Sequence, residues 1–207
     1  MKLIKVTEGL SLKNYLELET RMVKTVQEPT LFTWIVRPTV IYGRHQSAEV
    51  EVNEDYCVSH GIEVVQRKSG GGCVYADEGN LMISFITPSK HSEQVFTETL
   101  LLIRNALASK GIPAVTTAHN DILVGEKKVS GWACYTTPTG TIVHGTMLYD
   151  VNLEALQQAI TPTPEKLNKH GVASVRQRVV NLREIRDFGD IQAFRAELEK
   201  TLKDTNE

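Results

Sequence analysis

Three consecutive glycines, Gly70-Gly71-Gly72, stand between two β-type runs in the segment Gln66-Arg67-Lys68-Ser69-Gly70-Gly71-Gly72-Cys73-Val74-Tyr75. Glycine loses more backbone freedom on folding than any other residue. Such a run therefore marks a place where the main chain turns sharply or approaches a ligand without Cβ obstruction. Successive exposed N–H groups can form an anion-binding concavity, which flanking cations strengthen. Arg67 suits a phosphate because its planar fork presents paired donors. The phosphate-loop pattern G-x-x-x-x-G-K-S/T is absent, and Tyr75 occupies the place of the last glycine in the dinucleotide fingerprint G-x-G-x-x-G. The segment that follows reads as strand rather than helix, so a nucleotide here is held in another way. A tight β-turn with flanking surface cations fits the same residues.

The rest of the chain supplies a frame. Leu12, Tyr15, Leu16, Met22, Val23 and Val26 follow helical spacing behind Ser11 as N-cap and predict an amphipathic helix over 11–27. Runs over 31–37 and 39–43, split by Pro38, predict two strands, and 62–66 predicts a third that enters the glycine run. Residues 81–87 leave it as a strand ending at Pro88. Apolar spacing over 92–110, closed by Gly111 and Pro113, predicts a second helix. Short strands follow over 121–124, 128–134 and 141–150, then a short helix near 152–160 and a more polar one over 189–203. Strands cluster between single helices instead of alternating with them. This predicts an α/β (α+β) fold with a mixed, largely antiparallel sheet flanked by helices. No repeat or linker divides the 207 residues, so one domain over 1–207 is the economical reading.

Formal net charge is −2 with acidic and basic residues interspersed, which gives no electrostatic reason to expect nucleic acid or an anionic membrane as partner. No apolar run reaches the length of a membrane span, and residues 1–8 lack the apolar core of a signal peptide. Cys57, Cys73 and Cys134 are odd in number and widely spaced, so neither a disulfide framework nor a zinc site is indicated. A cytoplasmic location is the simplest expectation.

Two further segments carry chemistry. Asn120-Asp121 precede an apolar strand, where a carboxylate could bind Mg²⁺ and an amide could hydrogen-bond a nucleotide. Lys127-Lys128 open the next strand, whose alternation turns one lysine inward and leaves the other solvated. A hairpin with two solvated lysines fits as well. In the strand over 142–150, Gly145 permits close backbone approach, and its neighbour His144 is a candidate beside the ordinary reading as a packed residue.

Taken together, the segments resemble the lipoate-protein ligase A and lipoyltransferase family, which is related to biotin-protein ligases and class II aminoacyl-tRNA synthetases. Gly43-Arg44-His45-Gln46-Ser47 resembles that family's G-R-x-Q-N stretch, and Arg67 through Leu81 resembles R-x-S-G-G-G-A-V-Y/F-H-D-x-G-N-L. Asn120-Asp121-Ile122, Lys128-Val129-Ser130-Gly131 and His144-Gly145-Thr146-Met147-Leu148 resemble N-D-I/L, K-I/V-S-G and H-G-T-L-L. Gly171 through Leu182 resembles G-I-x-S-V-R-S-R-V-T-N-L. The departures are Gln66 for the first arginine of an Arg-Arg pair, Cys73 for alanine and Ala76 for histidine. The family's C-terminal accessory domain is also not expected within 207 residues.

The resemblance implies a biotin-ligase-like fold and ATP-dependent conversion of lipoate to lipoyl-AMP, followed by transfer to a lysine of a lipoyl domain. It implies Lys128 as the catalytic residue and Asp121 as a Mg²⁺ ligand. The implied nucleotide and acyl site comprises Arg67, Gly71, Gly72, Cys73, Val74, Tyr75, Asn80, Asn120, Lys128, Gly131, His144 and Gly145. Its implied partners are lipoyl domains of 2-oxoacid dehydrogenases or the glycine cleavage H protein, with an accessory protein a further possibility. An octanoyl or lipoyl transferase of the same fold is the nearest alternative. Such enzymes use a cysteine after the His-Gly strand, whereas here Lys169-His170-Gly171 stands at that place and no cysteine follows Cys134. A domain that only transfers preformed lipoyl-AMP, or needs a partner for activation, is the other.

Overall fold

The long strands of the middle of the chain are apolar on both sides, and this decides the architecture. In β6 (Asn80–Thr87) and β10 (Gly140–Leu148) nearly every residue is buried, the pattern of strands covered on both faces. The computed structural model describes residues 1–118, 120–160 and 179–204. Among them, β1 (Lys2–Leu3), β2 (Thr30–Trp34), β7 (Ala114–Thr116), β8 (Asp121–Val124) and β9 (Lys127–Thr137) join β6 and β10 in one seven-stranded sheet, ordered β1-β2-β6-β10-β9-β8-β7. The β1–β2 pair is parallel and the rest antiparallel. A smaller sheet sets β3 (Thr39–Tyr42) parallel to β4 (Glu63–Gln66) and antiparallel to β5 (Val74–Ala76). The expected mixed, largely antiparallel arrangement is present.

Alternation along each strand assigns the faces. Leu81, Ile83, Trp132, Val143 and Met147 share one core with Ile103 and Leu107 of α4 (Ser92–Ser109) and Phe194, Leu198 and Leu202 of α7 (Ile191–Asp204). On the other face Met82 and Ile142 meet α1 (Leu12–Met22), whose Tyr15 stacks on Trp34 with ring centroids 4.3 Å apart. Ile41 and Ala76 of the small sheet enter this same cluster, so the glycine loop joining β4 to β5 is held against that face. Behind the small sheet, α3 (Glu54–Ser59) and α5 (Leu153–Ala159) contribute Cys57 and Ala155 to a third cluster with Tyr75.

The expected helix over 11–27 ends at Met22, while Ser11 caps it as anticipated by accepting from the Asn14 N–H. β1, β7, α2 (Ala48–Glu51), α3 and α6 (Leu182–Ile185) were not anticipated; none exceeds six residues, too short to display a period. One signal was present: Asn53 accepts from the Tyr56 N–H and caps α3. Residues 161–178, with Lys169-His170-Gly171 and most of the segment leading to Leu182, lie outside the described residues, as does His119.

Candidate active site

The glycine loop is shaped from beneath by its own arginine. Arg67 is 7% exposed. Its Nη1 donates to the Ile41 carbonyl (3.1 Å), Nε and Nη2 to that of Gly70 (3.2 and 2.8 Å), and Nη2 also to that of Gly72 (2.6 Å). Burial pulls its pKa down to about 10, which still leaves it charged near neutrality. With these carbonyls turned inward, the N–H groups of Gly70, Gly71 and Gly72 have no partner among the described residues. Gly71 and Gly72 are exposed. Open N–H groups above a buried guanidinium form an anion seat.

Gly71 adopts a left-handed φ of +91°, and a Cβ at Gly43 would come within 2.2 Å of its carbonyl oxygen. The Arg44 N–H donates to the Ser69 carbonyl (3.0 Å), so the segment 43–46 braces the loop. At the exit, Asp77 accepts from the N–H groups of Gly79 and Asn152, both at 2.9 Å, and a Cβ at Gly79 would meet the Asp150 carbonyl oxygen at 2.0 Å. Asp77-Glu78-Gly79-Asn80 is therefore a structural corner. Asn80 is fully buried, and its Oδ1 has no hydrogen-bond partner.

A bulge aims the lysine. Ile122 pairs with Ser130 and Leu123 with Lys128, leaving Val129 unopposed. Strict alternation would put Lys128 and Gly131 on opposite faces. Instead they share one, and a Cβ at Gly131 would lie 2.9 Å from the Lys128 Nζ. Lys128 Nζ pairs with Asp121 Oδ1 at 2.8 Å, the side chains 19% and 8% exposed. Lys127 is solvated. The expectation of one inward and one outward lysine is met, with Lys128 the inward one. Among the described residues no group of three or more His, Cys, Asp or Glu could hold a metal ion, and Asp121 is occupied by the lysine.

His144 projects from β10 to the loop: its Nε2 is 2.7 Å from Ser69 Oγ and its Nδ1 3.0 Å from Glu19 Oε2. Gly145 serves the other face, where a Cβ would strike the Trp132 ring at 2.3 Å. Val74 borders the cluster containing Trp34, Met82 and Ile142, an apolar wall beside the loop, whereas Tyr75 turns into the third cluster. Asn120 takes a left-handed φ of 69° and lines a cleft of about 180 Å³ with Phe96 and Cys134. A groove of about 400 Å³ beside α4 and Phe85 contains none of the candidate residues, so chemistry rather than volume locates the site. Sequence reasoning missed Glu19. The signal was a charge at the spacing of Leu12 and Tyr15, the residues that α1 buries.

The domain thus sets a glycine-loop anion seat and a strand lysine on one face of its large sheet. Its fold matches the Aquifex aeolicus biotin protein ligase in complex with biotin and ATP, with a TM-score of 0.51, 19% identity, and 98% of this chain and 70% of that one covered. Residues 10–203 match the family model for the lipoyl protein ligase A/B catalytic domain, and the chain belongs to that family. It is 39% identical over 194 residues to lipoate–protein ligase 1 of Staphylococcus aureus, covering 90% of this chain and 58% of that protein. The chain thus spans little more than half the length of that relative. A lipoate-protein ligase A bound with ATP superposes with a TM-score of 0.81 at 26% identity, over 99% of this chain and 85% of that one. A bi-partite lipoate protein ligase from Thermoplasma acidophilum, described with its E2 lipoyl domain, gives 0.83 at 28%, over 99% and 83%. No helix among the described residues is long and apolar enough to cross a membrane.

Proposed function

We propose that this chain is the catalytic domain of a lipoate-protein ligase, activating lipoate with ATP to lipoyl-AMP and transferring the acyl group to a lysine of a lipoyl domain. The observation that carries the reading is Lys128, held by Asp121 at 2.8 Å on the face of the large sheet from which His144 meets Ser69 of the glycine loop. In the first step a lipoate oxygen attacks the α-phosphorus of ATP, the bond to the β-phosphate breaks, and pyrophosphate leaves. In the second, a lysine amine attacks the acyl carbonyl, AMP leaves with the bonding pair, and the nitrogen sheds its proton. Both steps build charge on phosphate and acyl oxygens. The Lys128 ammonium and the open N–H groups of Gly70–Gly72 are fixed donors for that charge. The partly exposed apolar side chain of Val74, beside the loop, suits the acyl chain. Mg²⁺ would be carried chiefly by the triphosphate, with Asp121 the carboxylate at hand once Lys128 engages phosphate.

The thiols argue against a cysteine acyl transferase. Burial raises the pKa of Cys57 and Cys134 and pushes that of Cys73 up to about 12, the reverse of what a thiolate nucleophile requires. Free cysteines also agree with a cytoplasmic location. A second reading, that adenylation needs a separate accessory protein, is favoured by the likeness to a bi-partite lipoate protein ligase. Either way, we read residues 1–207 as one catalytic domain, with lipoyl domains of 2-oxoacid dehydrogenases or of the glycine cleavage H protein as acceptors.

The test is mass spectrometry of an apo lipoyl domain incubated with enzyme and lipoate, with and without ATP, in parallel with preformed lipoyl-AMP. Modification with lipoate and ATP supports the autonomous ligase, and modification only from lipoyl-AMP supports the accessory requirement. Modification from octanoyl carrier protein without ATP overturns both. Lys128→Ala should lower lipoate-dependent ATP–pyrophosphate exchange by about 10²–10³-fold, and undiminished exchange in that variant removes the assignment.

A further inference from the structure

Under the glycine loop lies a continuous buried hydrogen-bond chain. Trp34 Nε1 donates to Ser84 Oγ (2.8 Å), and the Ser84 hydroxyl donates to Glu19 Oε1 (2.6 Å). His144 Nδ1 lies 3.0 and 3.2 Å from the two Glu19 oxygens, and His144 Nε2 lies 2.7 Å from Ser69 Oγ. The direction of each bond follows from chemistry. An indole N–H only donates, so Ser84 accepts there and passes its own proton toward Glu19. An ionised carboxylate only accepts, so the histidine proton sits on Nδ1. With a neutral ring, Nε2 is then bare, and the Ser69 hydroxyl donates to it.

Serine, histidine and acid in this order is also how a nucleophile is activated. Burial decides between the two uses. Ser69 is 1% exposed and Glu19 2% exposed, so an acyl carbonyl cannot reach Ser69 Oγ without displacing the loop above it. The consequence of the chain is positional. It pins the first residue of Ser69-Gly70-Gly71-Gly72 to β10, while Arg67 pins the carbonyls of Gly70 and Gly72. Three adjacent glycines are the most expensive backbone to order, and fixing the loop before an anion arrives removes that cost from binding.

We propose that Glu19 is a positioning residue for the anion-binding loop, acting through His144 and Ser69 to preorganise the N–H groups that meet the nucleotide phosphate. This rests on the ligase reading for the identity of the anion. Nothing in it requires Glu19 to touch substrate.

The experiment compares the full chain with Glu19→Ala, Glu19→Gln and Ser69→Ala, supplied with any accessory protein that exchange by the wild-type chain proves to need. It measures lipoate-dependent ATP–pyrophosphate exchange and, separately, AMP binding by calorimetry. Glu19→Ala should raise KM for ATP and weaken AMP binding by about tenfold, with KM for lipoate changed by less than about twofold. Glu19→Gln keeps an oxygen for the Nδ1–H and should recover most of the loss. The ¹⁵N spectrum of the His144 ring should report Nδ1–H in the wild type and in Glu19→Gln, and a mixture of tautomers in Glu19→Ala. Should Glu19→Ala fail to fold, Ser69→Ala breaks the same chain without stranding a buried charge and should show the same loss of ATP and AMP affinity. A folded Glu19→Ala or Ser69→Ala with unchanged ATP and AMP affinity overturns the proposal. So does a change confined to lipoate. Absence of exchange in the wild type even with an accessory protein would count against the ligase reading alone, because AMP binding still reads the loop.

Discussion

The glycine loop and the lysine strand lie on the same side of the large sheet, yet they hold their cations in opposite ways. Arg67 points inward, 7% exposed, with its N–H groups directed at three main-chain carbonyls. Lys128 stands 19% exposed and is ion-paired to Asp121. A guanidinium has five donors in a rigid fork, so it can organise several carbonyls at once. An ammonium on a flexible stem is better suited to leave one partner for another. The fold therefore uses the arginine to set the loop's shape and leaves the lysine free to exchange its carboxylate for a substrate oxygen. Arg67 still contributes its charge beneath the phosphate seat, through a fixed geometry.

The largest effect that would break this comparison is on stability. Arg67→Ala strands the carbonyls of Ile41, Gly70 and Gly72, and we expect a loss of about 4 kcal/mol, or roughly 10 °C in Tm. Arg67→Lys should rescue little of it, since one ammonium cannot serve three diverging acceptors. Lys128→Ala leaves only the Asp121 carboxylate unpaired and should lower Tm by less than half as much, about 4 °C. Thermal denaturation of the three variants checks this, and equal losses at the two positions would erase the distinction.

A smaller effect separates the two sides of the loop. Gly43→Ala places a methyl group 2.2 Å from the Gly71 carbonyl oxygen, where only main-chain movement can relieve the clash. We expect a cost of about 2 kcal/mol together with weaker AMP binding. A Cβ at Gly70 meets nothing within 4 Å, so Gly70→Ala should melt within about 1 °C of the parent. Equal stability of the two variants in denaturant titration would mean that the loop is not braced from segment 43–46.

Much of this frame was legible in the residues. The apolar runs that became β6, β9 and β10 and the spacing that became α4 survive because each is long enough to display its pattern. What the sequence withholds is direction. It gives Arg67 as a cation beside glycines but cannot tell a side chain turned to solvent from one folded under its own loop. The bulge at Val129 carries no signature, so Lys128 and Gly131 come together only once Lys128 pairs with Leu123. Glu19 was hidden differently. A carboxylate on an amphipathic helix reads as solvated, and its partners Ser84 and His144 are 65 and 125 residues away.

The finest test of the comparison concerns a thiol rather than a cation. Cys73 follows the glycine run, and the Arg67 charge lowers its pKa while burial raises it; burial wins, and the value stands at about 12. At pH 8 the thiolate fraction is then on the order of 10⁻⁴, against about a tenth for an unperturbed thiol. Iodoacetamide at pH 8 should therefore label the partly exposed Cys134 first and leave Cys73 unmodified until the chain unfolds. The sign of the accompanying pH effect follows from the raised value. Well below pH 8 the thiol is neutral in both states, and as pH climbs from about 8 toward 12 the unfolded chain ionises first and the fold loses stability. Labelling of Cys73 as fast as Cys134 at pH 8 would mean that the loop opens readily and that the arginine charge, not burial, governs its surroundings.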